Sequence, residues 1–287
     1  MGAAPGGGEA PGAPGFWGLH ARPGAWARRA LGALPFVLTF AVYLAFSRAR
    51  NRENPMDKLL PSPTAMAEAS ERLAFEPDRR SGEKLLWLDT RASLRRLALG
   101  VSAGALAGLF VGLNLGLLPG PAALLQPFLT AVSIIPPLAV LPILFIAFGV
   151  DELSKVVLIF VGTFPVIARD IMTAARRTPD EQVVKALTLG ASQVEVVYRI
   201  VLPQLLPALI ETVRLTLGGA WLYLIASEAI AAESGLGYRI FLMRRYLAMD
   251  VIIPYALWIT ALGFACDYGL KILSRRLYPW YVSEAEE

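Results

Sequence analysis

Of the chain's 287 residues, 55% are hydrophobic and only 17% are charged, with a formal net charge of +4. A soluble globular domain carries about a quarter charged residues, and here the deficit is concentrated: no Asp, Glu, Lys or Arg occurs between Arg96 and Asp151. That run exceeds the roughly 20 apolar residues needed to cross about 30 Å of hydrocarbon, so the composition excludes a water-soluble fold and predicts an all-α integral membrane protein. Basic residues stand at the ends of apolar runs, as membrane anchors do, and are not gathered on one solvated face as nucleic-acid binding requires. One cysteine, Cys266, and one histidine, His20, leave no intrachain disulfide and no histidine–cysteine metal site.

In chain order, residues 1–25 are rich in Gly, Ala and Pro, have nothing to bury, and are expected to be a disordered tail. Arg22, Arg28 and Arg29 precede an apolar run, Ala30–Phe46, expected to be an uncleaved first span rather than a signal peptide. A polar stretch over 47–93 follows, with Leu60-Pro-Ser-Pro63 and an amphipathic segment near Thr64–Phe75; with the first span it makes up a 26–93 region expected to end outside the cytoplasm. A core of spans is expected over 94–276. Its first span, about 94–118, carries Gly100, Gly104, Gly108, Gly112 and Gly116 at four-residue intervals, which makes one groove for close helix packing. The next span, about 122–149, holds Pro136, Pro137 and Pro142, which remove backbone donors and bend the helix. A broken helix of this kind suits a translocation route, because its freed carbonyls need protein or a wet path. Further spans are expected at about 153–172, 204–230 and 251–271, for about six in all, with a cytoplasmic tail at 277–287. The basic residues before the first span, between the fourth and fifth and after the sixth place both termini in the cytoplasm.

The segment 176–203 carries a different signal. Thr178 is positioned to cap a helix starting at Pro179, with Glu181 completing a capping box. Gly190 stops that helix, Ser192 and Glu195 repeat the box, and Pro203 follows the second helix. Two helices of about ten residues, each roughly 15 Å long, are too short to cross a bilayer. They are expected to lie on the cytoplasmic surface, a shape suited to docking in a partner's groove.

Ala186-Leu-Thr-Leu-Gly-Ala-Ser192 followed by Ile200-Val-Leu-Pro-Gln-Leu-Leu-Pro207 resembles the cytoplasmic "EAA" loop of binding-protein-dependent ABC importer permeases. Leu60-Pro-Ser-Pro63, Ile135-Pro-Pro-Leu-Ala139, Phe148-Gly-Val-Asp-Glu-Leu-Ser-Lys155, Phe164-Pro165, Ala220-Trp221 and Ser234-Gly-Leu-Gly237 extend the likeness from about Leu60 to Trp280. Together they resemble the nitrate/sulfonate/taurine/bicarbonate branch. The resemblance implies a type I importer core, a second permease copy (a homodimer), two cytoplasmic ATPase subunits holding ATP and Mg, and an extracytoplasmic substrate-binding protein, in a bacterial inner membrane. It implies an ATPase-coupling role for Ala186, Leu189, Gly190, Ala191, Ser192, Leu202 and Pro203. Where the family has Glu-Ala-Ala this chain has Val184-Lys185-Ala186, and Glu181, one helical turn earlier, stands in for the acidic contact. No Gly-x-x-x-x-Gly-Lys-Ser/Thr phosphate loop occurs, so this chain is not expected to bind ATP by that route or to be an enzyme.

Charged side chains in a span cost roughly 2.5–3.5 kcal/mol on insertion scales and need partners. Glu211 and Arg214, on one helix face, are expected to pair; Asp267 is expected to pair with Lys271. Arg169 and Asp170 read as interface anchors. Glu228 reads either as an interfacial, solvated carboxylate or as part of an outer gate. Pro136, Pro137, Trp221 and Glu228 are the candidates for the translocation path. A channel or secondary transporter is the alternative; it would show inverted repeats, and the two halves show none. A membrane-embedded enzyme would need clustered ligands or a nucleophile beside a base. The transported solute is expected to be small and polar: a sulfonate, nitrate, bicarbonate or nitrogen compound such as urea.

Overall fold

The computed structural model describes residues 24–53, 58–78 and 82–281. The expected N-terminal tail and His20 lie outside the described residues, as do 282–287 of the expected C-terminal tail. All regular structure among the described residues is helical, and the chain divides into two units, 1–62 and 63–287.

The first unit contains α1 (Ala25–Glu53), longer at both ends than its apolar run. Tyr43 donates from its hydroxyl to the Pro61 carbonyl at 2.6 Å, and Ser47 donates to the same carbonyl at 3.1 Å. The Leu60-Pro61 segment thus lies against α1; Pro61 offers only a carbonyl, and Tyr43 and Ser47 satisfy it.

The second unit is a bundle built on α3 (Leu85–Leu117) and α6 (Glu152–Arg176). α3 starts well before the expected span. Its first turns carry Asp89 and Arg91, which fall in the expected polar stretch, and Arg95 and Arg96, just inside the expected span; two of the four side chains, Asp89 and Arg96, are buried by other elements. The glycine ladder faces α6 along its whole length. An added Cβ at Gly100 would lie 2.6 Å from Ile159 Cβ, at Gly108 2.7 Å from Ile167 Cγ2, and at Gly112 2.5 Å from the Ala168 carbonyl oxygen. The two helices therefore run parallel and in backbone contact. In lipid, where apolar contact with a neighbour gains little over contact with acyl chains, such close packing is the main source of helix association.

Between them in sequence, α4 (Pro119–Ile134) and α5 (Pro137–Phe148) meet at a 98° bend. The expected third span is thus two helices rather than one bent helix. Ile135 and Pro136 are both extended, with ψ 122° and 120°. The residue before a proline is pushed out of the helical region, and two successive prolines enforce this at Ile135 and Pro136 together. Among the described residues five helices are long and apolar enough to cross a membrane, or six if this bent pair forms one crossing.

After α6 come α7 (Asp180–Thr188) and a single turn, α8 (Gln193–Glu195), which continues as a π-helix over Val196–Val201 into α9 (Leu202–Ala231). The expected second short helix is therefore the first part of the fifth crossing, and Pro203 does not end it. Proline has no N–H to continue an α ladder. The wider π turns carry the chain across, with Leu202 N–H bonded to the Val197 carbonyl. Pro203 then sits in the first turn of α9, where its missing donor costs nothing. The short α10 (Leu236–Arg244) and α11 (Met249–Leu277) complete the chain, with α2 (Pro63–Phe75) packed on α11 and α3. α3, α6 and α11 run from one end of the unit to the other, and α9 runs back. The α7–α8 hairpin marks one end, and the α9–α10 connection marks the far end.

Candidate functional site

The hairpin end is formed as the sequence predicts in part. α7 begins at Asp180, with Pro179 at the cap position and no side-chain cap bond. Thr178 does not cap it: its N–H bonds the Ala175 carbonyl at 3.2 Å and closes α6 instead. Pro179, at ψ 128°, shifts the helix start by one residue, which breaks the three-residue spacing from Thr178 to Glu181. Gly190 adopts φ +91°, a region open to glycine at little cost, and Ala191 N–H returns to the Ala186 carbonyl at 3.0 Å. The Ser192–Glu195 capping box forms, with Ser192 N–H to Glu195 Oε2 at 3.0 Å. Gln204 on α9 donates to Gln182 on α7 at 3.1 Å, tying the hairpin to the span.

The resulting surface is apolar and open. Leu189 is 88% exposed, and Val184, Leu187 and Val194 are exposed beside it, while Ala186, Ala191 and Leu202 pack inward on the core. Glu181, Ser192 and Pro203 are exposed. Of the expected coupling residues, then, Glu181, Leu189, Gly190, Ser192 and Pro203 present themselves outward, and Ala186, Ala191 and Leu202 hold the hairpin down.

At the far end, α3 gathers a polar network that sequence reading missed. Asp89, Ser93 and Arg96 lie four and three residues apart, on one helix face. Asp89 accepts from Gly235 N–H at 2.9 Å, Arg239 Nε at 2.8 Å and the Tyr255 hydroxyl at 3.1 Å. Ser93 donates to Glu228 at 2.7 Å and accepts from Leu236 N–H at 2.9 Å. Gly237 N–H donates to Glu228 at 2.8 Å. Arg96 donates to Glu228 and to the Ser234 carbonyl, both at 2.7 Å, and forks onto Glu152 at 2.6 and 2.7 Å. Asp89 and Glu228 are completely buried. Glu228 is therefore no interfacial carboxylate; it is the centre of a satisfied buried network. Burial opposes the charge on Arg239, but hydrogen bonding and attraction from Asp89 outweigh it and raise its pKa above the usual guanidinium value.

This network explains the Ser234-Gly-Leu-Gly237 motif. Three consecutive backbone N–H groups, of Gly235, Leu236 and Gly237, bond to buried side-chain oxygens on α3 and α9. Gly235 has φ +134°, and an added Cβ there would lie 2.5 Å from Glu228 Cδ. Residue 235 must be glycine for the loop to lie against the carboxylate. The signal was available in sequence as Asp89, Ser93 and Arg96 on one face, but their polarity masked the helix.

The partners of Arg96 differ in environment. Glu228 is buried, whereas the Glu152 side chain is 58% exposed. Stranding a buried charge costs about 3–5 kcal/mol; a water-exposed pair contributes about 0–1 kcal/mol. Beside Glu152 lies an open cleft of about 880 Å³, lined on one lip by Val150–Lys155 and on the other by Ile230–Ser234. Lys155 is buried at its edge, its Nζ bonded to the Asp151 carbonyl at 3.1 Å.

The remaining candidates are placed as follows. Pro136 is exposed at the α4–α5 break and Pro137 half-buried. Trp221 is buried in α9, its indole N–H without an acceptor among the described residues. Arg214 pairs with Glu211 at 2.7 Å, as expected, and also with Asp267 at 2.9 Å. Asp267 thus pairs across to α9 rather than with Lys271, because the α9–α11 crossing brings Arg214's fork within reach. Arg169 bonds the Ser133 hydroxyl at 3.0 Å. Among the described residues no cluster of His, Cys, Asp or Glu has metal-binding spacing.

A bundle of helices long and apolar enough to cross a membrane, with an exposed hairpin at one end and an open cleft at the other, defines a polytopic membrane protein. Residues 103–279 match the family of binding-protein-dependent transport system inner membrane components, and the chain belongs to that family as a permease of an ABC-type importer. It is 36% identical over 68% of its length to the taurine transport system permease protein of Escherichia coli (strain K12), covering 71% of that protein. It is 28% identical over 85% of its length to the bicarbonate transport system permease protein of Synechococcus elongatus, covering 86% of it. Those relatives lie in the branch that the sequence resembles. The fold is also that of a chain of the inward-facing MetNI methionine ABC transporter, with TM-score 0.59, 21% identity, 68% of this chain and 98% of that one covered.

Proposed function

We propose that this permease conducts a small polar solute, delivered by an extracytoplasmic binding protein, through the inner membrane of a bacterium. It works with a second copy of itself and two cytoplasmic ATPase subunits, which hold the ATP and Mg and carry out the hydrolysis. Both termini and the α7–α8 hairpin face the cytoplasm. The names of its relatives point to an oxyanion or sulfonate solute. The observation that carries this reading is the hairpin: an exposed apolar knob around Leu189, fixed by Gly190 and the Ser192–Glu195 box and tied directly into α9. A knob so built transmits force from a gripping partner into a membrane-crossing helix. Glu181, exposed in the first turn of α7, supplies the acidic contact. Pro136, Pro137, Trp221 and Glu228 border or support the solute's path.

A cysteine placed at Leu189 in a Cys266→Ser background tests the reading. A membrane-impermeant thiol reagent is expected to label it in inverted vesicles and not in intact cells, and gentle solubilisation is expected to recover an ATP-hydrolysing partner. Labelling in intact cells, or purification that never recovers such a partner, would overturn it.

A further inference from the structure

We propose that Arg96 and Glu152 form a releasable clasp across the far-end cleft, and that this clasp sets how wide the permease opens to the outside. The inference rests on the proposed orientation only for the word outside; the clasp itself stands on geometry. The two lips of the cleft belong to different parts of the chain, the α5–α6 turn (Val150–Lys155) and the α9–α10 turn (Ile230–Ser234). Each lip has its own anchor. Lys155 is held by the carbonyls of Val150 and Asp151, and Ser234-Gly-Leu-Gly237 is sewn to α3 and α9.

Arg96 bridges the two. On one side its Nη1 reaches Glu228 and the Ser234 carbonyl; on the other its Nε and Nη2 take both oxygens of Glu152. A guanidinium presents donors in a rigid planar fork, so one side chain fixes both lips in one geometry. An ammonium is a point charge and has no such fork.

The clasp is asymmetric. Arg96 is 3% exposed and Glu228 not at all, so their separation would leave the buried Glu228 carboxylate without its cation. Glu152 is more than half exposed, and its carboxylate passes to water at little cost. When the lips part, they part between Arg96 and Glu152. Arg96 is not left bare, since Glu228 and the Ser234 carbonyl remain bound to it. Lys155 lies 3.6 Å from Glu152 and travels with it on α6, so the released carboxylate keeps a cation. Arg96 is thus a positioning residue of transport, and Glu152 its movable partner.

Spin labels at Leu153→Cys and Ala232→Cys, one on each lip, in a Cys266→Ser background and in proteoliposomes, measure the opening directly. Glu152→Gln keeps the shape and removes the charge; it is expected to raise the wide-distance population about fivefold, the scale of an exposed charged pair. Glu152→Asp, which retains the charge, is expected to restore much of the short distance. Arg96→Lys is expected to widen the cleft as well, since a lysine keeps the buried Glu228 and gives up Glu152. A label pair on α3 and α6 beside the glycine ladder is expected to stay unchanged throughout. A Leu153–Ala232 distribution unmoved by Glu152→Gln, or a change of equal size at the ladder pair, would overturn the clasp. Because this readout needs neither ATPase nor binding protein, its failure is separable from failure of the importer reading.

Discussion

Alanine at Gly104 is expected to loosen the α3–α6 pair, and removal of the Thr163 hydroxyl in the same chain is expected to restore it. The added Cβ would run into Thr163 Oγ1, while its next neighbours, Phe164 N and Thr163 Cβ, stand at 3.4 Å, ordinary contact. The whole clash is therefore one hydroxyl. Overpacking of this kind costs about 1–3 kcal/mol, and Ala regains about 1 kcal/mol over Gly in a helix interior, leaving a net loss of about 0–2 kcal/mol. Thr163 has a second helical rotamer, but it is 1% exposed, so turning it drives its methyl into packed neighbours. With Thr163→Ala the tight contact is gone, and a double-mutant cycle, in which the helix-propensity gain cancels, is expected to show a coupling of about 1–3 kcal/mol. In a protein of this size about 1 kcal/mol shifts a melting midpoint by about 2–4 °C, which thermal unfolding in detergent resolves. Gly32→Ala, inside α1 with nothing within 4 Å of the added atom, is the control and should melt at or a few degrees above the parent. If Gly104→Ala melts as far above the parent as Gly32→Ala does, or if Thr163→Ala adds its own loss without restoring any, backbone contact does not hold this helix pair together.

Glu228→Ala takes from Arg96 its buried carboxylate partner and leaves the Ser93 hydroxyl and the Gly237 N–H without their acceptor; it is expected to cost about 3–5 kcal/mol, against under about 1 kcal/mol for Glu152→Ala, and equal losses of folded yield and melting midpoint would refute the contrast in burial. Gly235→Ala combines φ +134° with a Cβ 2.5 Å from Glu228 Cδ and should destabilise more than Gly104→Ala, measured in the same melt. Ser192→Ala removes one half of a capping box worth about 1 kcal/mol. Amide exchange in the α7–α8 hairpin is expected to quicken about fivefold with the melting midpoint unchanged, and unchanged exchange would show that the box does not hold the hairpin.

The lipid solvent, the number of crossings and the close-packing face of α3 follow from the sequence alone. They depend on composition and on short-range periodicity: charges absent over 97–150, and glycines every fourth residue over 100–116. The hairpin was half legible for the same reason. Gly190 and the Ser192–Glu195 box act over three or four residues and formed, whereas the Thr178 cap yielded to the neighbouring Pro179, and Pro203 was absorbed by π turns that no local rule announces. The far-end network was not legible. Asp89 reads as part of a polar loop and Arg96 as a charge at the edge of a span, because isolated charges belong in water, and only tertiary contact supplies Arg239, Glu228 and Glu152, from 56 to 150 residues away, to make their burial tolerable. A buried charge is set by its partners' positions in space, and the sequence holds no record of those until the helices have packed.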